Sequence, residues 1–218
     1  MNEKYSPYID FSSVLSESSE LNALLVKDSN SFNSNFKNTQ NILDIAKCKQ
    51  MHSTNVKYVL YPGIYENCDG LITSLESKLF LQINTADCTP IFMYDPIMKI
   101  IGLIHSGWKG TANEIILNAL NIFLKKGSKS KNIKIVLGPS IKECCFEVQK
   151  DVASLFDDKY IIISESRLYI NLSLKIFDDL VVNGIIQDNI YVSKLCTFDN
   201  RNFQSYRRDG NESGRMIS

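Results

Sequence analysis

Residues 100–124, IIGLIHSGWKGTANEIILNALNIFL, join a β-rich run to an amphipathic helix and decide the fold class. Ile100–His105 is apolar and β-branched, which is typical of a buried strand. Beyond Gly107, apolar residues recur at helical spacing. They are Ile115, Ile116, Ala119, Leu120, Phe123 and Leu124. Lys125-Lys126-Gly127 then supplies the basic residues and the glycine that end a helix, so the stretch predicts a strand followed by a helix.

Further short elements are predicted on both sides of this stretch. The predicted strands are Val56–Leu60, Gly70–Thr73, Leu79–Asn84, Pro90–Tyr94, Ile133–Leu137, Leu168–Ile170 and Ile190–Lys194. The other predicted helical segments are Asn41–Ala46, as the end of a helix, Val148–Phe156 and Leu172–Val182. Because strands and helices mix without a strict alternation, we expect an α+β fold of mixed sheets with flanking helices in a single domain.

The first forty residues differ in composition from the rest of the chain. They are rich in Ser and Asn, and Lys27–Asn35 has the composition of a loop. We therefore expect residues 1–40 to form a variable, loop-rich N-terminal segment and residues 41–218 to form the main domain.

The charge balance limits the partners. The 218 residues include 24 Lys and Arg against 24 Asp and Glu, so net charge predicts neither a nucleic-acid groove nor an anionic membrane surface. Neither a secretory signal nor a run long enough to cross a bilayer is found, which predicts a cytoplasmic protein. The six cysteines are then expected to be thiols, and the lack of any CxxC pair argues against a structural four-cysteine zinc site.

The only two histidines, His52 and His105, and the thiol of Cys88 between them are the candidate metal ligands. Two imidazoles and one thiolate suit a borderline-soft cation such as zinc, and three protein ligands leave a fourth position for water or substrate. Their spacing matches no local metal motif. On the residues alone, a buried cysteine and two hydrogen-bonded histidines are the simpler interpretation.

Five strings, in this order, closely resemble the bacterial family of polyphenol oxidases or laccase-domain proteins, whose members are also named purine nucleoside phosphorylase and peptidoglycan-editing factor. The strings are Lys49-Gln-Met-His52, Thr85-Ala-Asp-Cys-Thr-Pro90, His105-Ser-Gly-Trp-Lys-Gly110, Leu137-Gly-Pro-Ser-Ile141 with Cys144-Cys-Phe-Glu-Val148, and Ser205-Tyr-Arg-Arg-Asp-Gly210 with Ser213-Gly-Arg215. The resemblance extends from about residue 41 to the C-terminus.

The resemblance implies a fold, a metal and an activity. The fold is that of the laccase domain, which is like that of cytotoxic necrotizing factor. The family's zinc ligands fall on His52, Cys88 and His105, so one Zn²⁺ ion is expected there. The implied activity is phosphorolysis of purine nucleosides (inosine, guanosine, adenosine or methylthioadenosine), with adenosine deaminase activity left open.

Residues near the expected ligands are candidates for the chemistry. Asp87 is a candidate catalytic residue that would orient a ligand histidine or act as a base, or it is a turn residue. Gln50 would hydrogen-bond the substrate or is an ordinary exposed amide. Trp108 would stack on a nucleobase or anchors the core. Glu147 is a possible acid or base, or a charge at the start of the following helix.

Three arginines near the C-terminus are candidate phosphate-binding residues: Arg207, Arg208 and Arg215. Guanidinium groups recognise phosphate in a bidentate manner. The alternative is a structural clamp with Asp209 and Glu212. Gly138-Pro139-Ser140 follows a strand but lacks the spacing of a phosphate loop, which indicates a structural turn, and Cys144 and Cys145 are expected in the core or in a wall.

The sequence is compatible with several functional hypotheses. The first is the zinc-dependent phosphorylase, a transferase taking a purine nucleoside and phosphate, as a monomer or homodimer. A second is a Cys-His amide hydrolase in peptidoglycan precursor editing, with Cys88 as nucleophile and His105 as base. A third hypothesis is a zinc-stabilised binding protein, with an open site that binds a ligand but catalyses no reaction. A multicopper laccase is rejected because two histidines cannot furnish several copper centres.

One departure from the family concerns the substrate. Family members carry an Asn-Arg pair ahead of the segment that leads to the first histidine, and Thr39 stands where that Arg is expected. If the Arg holds substrate in relatives, this chain has lost it, replaced it from elsewhere or changed its preference.

Overall fold

Short strands dominate the structure, a computed structural model that describes residues 6–16, 21–28 and 44–218. In chain order its strands are β1 (Tyr8–Asp10), β2 (Leu24–Val26), β3 (Ile45–Lys49), β4 (Val56–Tyr58), β5 (Gly63–Glu66), β6 (Gly70–Ser74), β7 (Phe80–Gln82), β8 (Asn84–Thr85), β9 (Thr89–Asp95), β10 (Ile100–Ser106), β11 (Lys134–Leu137), β12 (Glu147–Val148), β13 (Ile161–Ser164), β14 (Arg167–Ile170), β15 (Ile190–Val192) and β16 (Met216–Ile217). The α-helices are α1 (Ser12–Leu15), α2 (Trp108–Ala112), α3 (Ile115–Lys125), α4 (Lys150–Ala153), α5 (Leu172–Val182) and α6 (Tyr206–Asp209). The expected α+β class with mixed sheets and flanking helices is confirmed.

A six-stranded mixed sheet in the order β15-β11-β9-β10-β6-β4 forms the centre. Its middle hairpin, β9 and β10, pairs Ile100 with Asp95 at one end and Ser106 with Thr89 at the other. The edge pairs β11–β15 and β4–β6 are parallel, and the inner pairs are antiparallel. The hairpin turn is fixed by Asp95 Oδ1, which accepts hydrogen bonds from the N–H groups of Ile97 and Met98.

The central sheet is covered on both faces, which explains why β9 is buried along its whole length. Successive side chains of a strand point to opposite faces. Ile91 and Met93 accordingly pack in the cluster that includes α3 and α5. Phe92 and Tyr94 pack in the opposite cluster, against the smaller sheets.

The predicted helix after Gly107 is confirmed as α3. Its buried residues are Ile115, Ile116, Ala119, Leu120 and Phe123, whereas Leu124 of the predicted apolar face is partly exposed. Gly127, at φ +97°, follows the last turn and donates its N–H to Leu124 O, as expected of a glycine that ends a helix.

Three smaller sheets surround the centre. Their strand orders are β1-β2-β16-β8, β5-β3-β7 and β12-β14-β13. The sheet with β16 ties the C-terminus to β8, because Met216 pairs with Thr85. This pairing brings the arginine-rich end of the chain next to the segment that contains Cys88.

Three sequence predictions were wrong in detail. Ile45 and Ala46, expected at a helix end, belong to β3, in which Ala46 and Cys48 are buried and the alternate residues are more exposed. The predicted strand Leu79–Asn84 is two strands, because β7 and β8 pair in different sheets. Only Lys150–Ala153 of the predicted helix Val148–Phe156 is helical, because Val148 pairs with Leu168 in β12.

The N-terminal segment contributes strands where the structure describes it. Strand β1 pairs antiparallel with β2, and β2 pairs with β16. Most of the predicted loop Lys27–Asn35, together with Thr39, lies outside the described residues, and the domain boundary at residue 40 stays a prediction. No helix in the described part of the chain has the length and apolar character needed to span a bilayer.

Candidate metal centre

The structure brings together the three side chains singled out as metal ligands. The ligand atoms of His52, Cys88 and His105 all lie within 4.8 Å of one another. Cys88 Sγ lies 3.8 Å from His52 Nε2, and the two imidazole rings meet edge to face with centroids 4.9 Å apart. His105 is buried, Cys88 is half-buried and His52 is exposed, so the cluster opens to the surface on the His52 side.

The central hairpin explains two of these positions. In the register of β9 and β10, His105 lies opposite Pro90 and Ser106 lies opposite Thr89. Cys88 directly precedes Thr89, so a residue pair 17 positions apart in sequence meets at one end of the hairpin. His52 follows β3 and adopts φ 59°, a left-handed conformation that is uncommon for residues other than glycine.

The carboxylate of Asp69, which is fully buried, holds the two histidines in place. Its Oδ1 lies 2.9 Å from His105 Nδ1 and accepts the backbone N–H of His52 at 3.0 Å. Its Oδ2 accepts both the N–H and the hydroxyl of Ser53 at 2.7 Å, and the N–H of Met51 points at both oxygens. These bonds fix the turn that presents His52.

The same bond sets the tautomer of His105. An ionised carboxylate only accepts hydrogen bonds, so Nδ1 of His105 carries the proton. Nε2 is therefore the nitrogen that faces the cluster as a potential ligand. A carboxylate behind a ligand histidine is the usual arrangement in metal sites, where it orients the ring and raises its basicity.

Burial and hydrogen bonding shift the pKa values of Cys88, His105 and Asp69. Burial opposes the Cys88 thiolate, but hydrogen bonds from His105 and His52 outweigh it and lower the pKa of Cys88 to about 7. Burial opposes the charged form of His105, but Asp69 and Cys88 raise its pKa to about 9. Burial also works against the Asp69 carboxylate, yet hydrogen bonds from His105, Ser53 and Met51 hold its pKa well below the usual range.

Gly107 makes room for the cluster. A Cβ atom at this position would lie 2.9 Å from Cys88 Sγ and 3.0 Å from His52 Cδ2. Real Cβ atoms do not approach sulfur and carbon so closely, so any side chain here would displace a ligand. The glycine of the Ser-Gly-Trp string is therefore required by the close approach of two side chains.

The carboxylate of Asp87 binds the C-terminal part of the chain. Its Oδ1 accepts the hydroxyl of Thr197 at 2.7 Å, and its Oδ2 accepts the N–H of Arg207 at 2.6 Å. Asp87 has φ 77°, so it also shapes the turn before Cys88. The carboxylate that orients His105 is Asp69, not Asp87; a role of Asp87 as a base stays a prediction.

Gln50 and Trp108 each have a structural partner. The amide of Gln50 pairs with the backbone of Asn84, donating to its carbonyl at 2.7 Å and accepting its N–H at 2.8 Å. Trp108 begins α2 and packs, half-buried, at the edge of the apolar cluster that includes Phe146 and Ile141. Substrate contacts by these two residues stay predictions.

The three C-terminal arginines differ in their environments. Arg208 donates from Nη1 to Thr197 O and Phe198 O and from Nη2 to Phe203 O. It also pairs with Asp209, which matches the structural clamp. Arg207 is exposed, with its guanidinium 5.2 Å from the Phe146 ring and one bond to Glu147 O.

Arg215 and Glu147 complete the candidates from the sequence. Arg215 is exposed and its Nη1 donates to Ser213 O and Gly214 O. The Glu147 carboxylate lies 3.5 Å from Arg167 Nη1 in a surface ion pair, and a role of Glu147 as an acid or base stays a prediction. Arg207 has an exposed guanidinium and a backbone bond to Asp87, next to Cys88, whereas the exposed Arg215 is bonded to carbonyl groups of its own turn.

The donor set fits a zinc ion. One thiolate and two imidazoles are ligands that zinc prefers, and the exposed His52 side leaves a direction for a fourth ligand. The lowered pKa of Cys88 favours the thiolate, which is the form that binds metal. Asp69 supplies the hydrogen-bonded support that such sites use.

Asp69 is the important residue that the sequence analysis missed. In the sequence, Asp69-Gly70 has the composition of a turn before the predicted strand Gly70–Thr73 and gives no direct sign of a metal site. A better signal existed, because a ligand histidine needs an acceptor for its other ring nitrogen, and Asp69 directly precedes the buried strand β6 beside β10.

Comparisons with known proteins agree with this geometry. The family model described as multi-copper polyphenol oxidoreductase laccase matches residues 12–218. A purine nucleoside phosphorylase of Borreliella burgdorferi is 39% identical over 190 residues, which cover 81% of this chain and 79% of that protein. The adenosine deaminase RL5, from an unknown prokaryotic organism, is 31% identical over 162 residues and covers 70% of this chain and 62% of its own.

A solved structure shows the same architecture. The hypothetical protein YfiH of Bacillus licheniformis superposes with a TM-score of 0.73 at 31% identity, covering 80% of this chain and 73% of that one. The match to the family model begins at residue 12 of this chain, within the N-terminal segment, residues 1–40, that was expected to be variable.

Proposed function

Because this chain belongs to the multi-copper polyphenol oxidoreductase laccase family, we propose that it is a zinc-dependent purine nucleoside phosphorylase. In this reaction phosphate replaces the purine of inosine, guanosine, adenosine or methylthioadenosine. The products are the free base and a ribose 1-phosphate. The names of the relatives support the nucleoside and the phosphate as substrates, and the residues of the cluster support the metal.

The convergence of His52, Cys88 and His105 is the observation that carries the proposal. A satisfied core histidine needs no second imidazole and thiol beside it. Here both histidines and one thiol of a chain with only two histidines meet within bonding reach of one cation. Bound zinc would supply a Lewis acid that stabilises negative charge developing on an oxygen.

Arg207 is the residue that we assign to phosphate. Its guanidinium is exposed, and its backbone N–H is bonded to Asp87, next to Cys88. Arg208 is assigned a structural role because its donors are used on carbonyl groups and Asp209. A guanidinium offers two parallel N–H donors to a phosphate, which both binds and orients it.

Trp108 is the residue that we assign to the purine. It starts α2 three residues after His105, at the edge of the cluster that contains Phe146. An indole face gives a platform for a nucleobase, and the Phe146 ring beneath the Arg207 guanidinium would join the two subsites. Phosphate and base bound in this way would lie at neighbouring positions, and reactants held together meet at a much higher effective concentration.

Phosphorolysis of the nucleoside involves no oxidation or reduction. A phosphate oxygen forms a bond to the anomeric carbon while the bond from that carbon to the purine nitrogen breaks. The electron pair of the broken bond remains on the purine, which takes up a proton. Adenosine deamination is a second activity in the proposal; there water replaces the amino group of the base and ammonia leaves.

A specific observation favours one other candidate, a Cys-His amide hydrolase in peptidoglycan precursor editing. Cys88, His105 and Asp69 lie in the order nucleophile, base and orienting carboxylate, and the pKa of Cys88 is lowered to about 7. Such an enzyme needs a free thiol, and it has no need of His52 beside the pair. Metal content therefore separates the two candidates.

We do not propose copper oxidase activity, despite the description of the family model. A multicopper oxidase needs several copper centres rich in imidazole ligands, and the chain contains two histidines. A cytoplasmic location and a monomeric or homodimeric state stay predictions.

The test is chromatography of zinc-loaded protein incubated with adenosine or inosine, with and without phosphate. Phosphate-dependent release of free base from the wild type, lost in Cys88→Ala and kept in Cys48→Ala, supports the proposal. Cys48 is the matched control because it is a thiol of β3 outside the candidate metal centre. No turnover by protein that carries zinc would contradict the proposal, and amide hydrolysis by metal-free protein would favour the hydrolase.

A further inference from the structure

A second group of cysteines lies outside the candidate metal centre. Cys144, Cys145 and Cys196 have their Sγ atoms within 4.8 Å of one another, with 3.1 Å between those of Cys144 and Cys145. We call this group the thiol cluster. All three side chains are free thiols, and their exposure falls from Cys144 through Cys145 to the buried Cys196.

We propose that the thiol cluster is a second cation site, which takes a soft divalent ion such as Zn²⁺ through three sulfur ligands. Zinc–sulfur bonds of ~2.3 Å in a tetrahedral site put the sulfurs ~3.8 Å apart. The sulfurs of the thiol cluster lie close to that spacing, so small side-chain rotations suffice. The fourth position faces outward beside Cys144, which gives the ion an entry path.

The backbone around Cys196 is already arranged for a thiolate. The N–H groups of Lys142, Phe198 and Asp199 point at its sulfur, with that of Lys142 at 3.5 Å. Such N–H groups stabilise negative charge on sulfur and form the outer support of cysteine metal sites. A neutral buried cysteine has no need of three donors.

Backbone hydrogen bonds hold together the two segments that carry the three cysteines. Residues 142–145 form a tight turn, in which Cys145 and Phe146 both donate their N–H groups to Lys142 O. The backbone of Ser140 pairs with that of Cys196, which holds this turn against the later segment. Three ligands on two tethered segments lose little freedom when they bind an ion.

Charge balance favours a divalent ion. The Nζ of Lys142 is buried and bonds to the hydroxyls of Ser140 and Ser173 at 3.0 Å, partners that carry no charge. The charges of Glu143, Cys196 and Cys144 counter the effect of burial on the pKa of this ammonium. Three thiolates and the Glu143 carboxylate outweigh the one ammonium, so the site is negative, and a divalent cation offsets more of that charge than a monovalent one.

The position of the site suggests what the ion does. Thr197 follows Cys196 and donates its hydroxyl to Asp87, which precedes Cys88. An ion in the thiol cluster would therefore fasten the segment that anchors the loop of the candidate metal centre. It is a positioning site, and no reacting atom is assigned to it.

The experiment uses Co²⁺ as the probe, in the full-length Cys88→Ala variant, where the candidate metal centre is disabled. We expect one equivalent of Co²⁺ to bind, with a strong sulfur-to-metal charge-transfer band from several thiolates. Adding Cys144→Ser, an exposed change that spares folding, should weaken the binding at least tenfold, and adding Cys196→Ser should abolish it. Adding Cys68→Ser, which alters a thiol elsewhere, should leave it unchanged.

Each other result overturns the proposal. No Co²⁺ bound by Cys88→Ala, or binding that is indifferent to both cysteine changes, excludes the site. A disulfide between two of the three cysteines in protein purified without reductant, with no cation bound, would identify a redox pair instead. Because metal content is the readout, the result is independent of whether the protein cleaves nucleosides.

Discussion

The Nδ1 atom of His105 lies 2.9 Å from Oδ1 of Asp69, and both side chains are almost completely buried. The same carboxylate binds three consecutive backbone N–H groups, of Met51, His52 and Ser53. One buried acid therefore sets the ring orientation of one candidate ligand and the backbone conformation of the other. Its pKa is held well below the usual range, so it remains ionised at any pH where the protein would function.

Replacing Asp69 with Asn should weaken metal binding by about 10- to 100-fold, the usual effect of removing such a supporting group. The amide of Asn keeps one oxygen that can accept hydrogen bonds. Its NH₂ group cannot accept the hydrogen bonds that the second carboxylate oxygen accepted, so those N–H and O–H donors lose their partner. We also expect the free energy of unfolding to fall by about 3 kcal/mol. Competition with a chelating dye measures the affinity, and urea denaturation measures the stability.

The matched control is Asp95→Asn. Asp95 is equally buried, but Oδ1 alone accepts its two turn hydrogen bonds and Oδ2 has no partner in the described residues. Metal affinity should be unchanged in this variant. Equal losses of affinity in both variants would show that Asp69 acts on general stability and not on the ligands.

The thiol of Cys88 should be reactive near neutral pH in the metal-free protein. Its pKa is lowered to about 7 by His105 and His52 against the effect of burial, and the pKa of His105 is raised to about 9. The thiolate is stabilised above pH 7 and protonated imidazole below pH 9, so the ion pair is populated between these values. The rate of alkylation, followed at Cys88 by mass spectrometry, should reach half its maximum near pH 7.

A His105→Gln variant provides the comparison for this titration. Without the imidazole, the apparent pKa of Cys88 should rise toward the value of an ordinary thiol, and zinc should suppress alkylation in the wild type but not in the variant. A wild-type midpoint near pH 9 would contradict the hydrogen bonding seen at the cluster.

Replacing Gly107 with Ala should loosen the candidate metal centre without unfolding the protein. The added Cβ would overlap Cys88 Sγ and His52 Cδ2, and overpacking of this kind costs ~1–3 kcal/mol. That cost corresponds to about 5- to 150-fold in metal affinity. Gly110→Ala, in helix α2, is the control, because its Cβ would approach Ile115, Ser106 and Ser53 and none of the three candidate ligands. Equal metal affinity in the two variants would show that the close contacts of Gly107 with Cys88 and His52 do not limit metal binding.

The elements that the sequence predicted well are those whose burial pattern is local. Strands β9 and β10 and helices α3 and α5 show either a continuous apolar run or apolar residues at helical spacing. The first two residues of β3, Ile45 and Ala46, were predicted as a helix end because the strand is short and its neighbours β5 and β7 come later in the chain. Its identity depends on parallel pairing with distant partners, which a local pattern does not contain.

The candidate metal centre also has residues that the sequence predicted and contacts that it did not predict. Resemblance supplied His52, Cys88 and His105, and the fold brought them together. Asp69, Asp87 and Gln50 each contact a backbone group 15 or more residues away, and such contacts leave no trace in side-chain patterns. The role of a carboxylate in such a site is therefore visible only in three dimensions.

The arginines should separate into a substrate residue and a structural one. Arg208→Ala removes hydrogen bonds to three carbonyl groups and should lower the free energy of unfolding by about 3 kcal/mol.

Arg207→Ala removes one hydrogen bond to a carbonyl group and should barely affect stability. It should, however, raise the KM for phosphate about 10- to 100-fold, with a smaller change in the KM for the nucleoside. Arg207→Lys should restore charge but not the bidentate geometry, and so recover only part of the affinity. Arg201→Ala, another exposed arginine, is the control; an unchanged KM for phosphate in Arg207→Ala would move the phosphate site to Arg215.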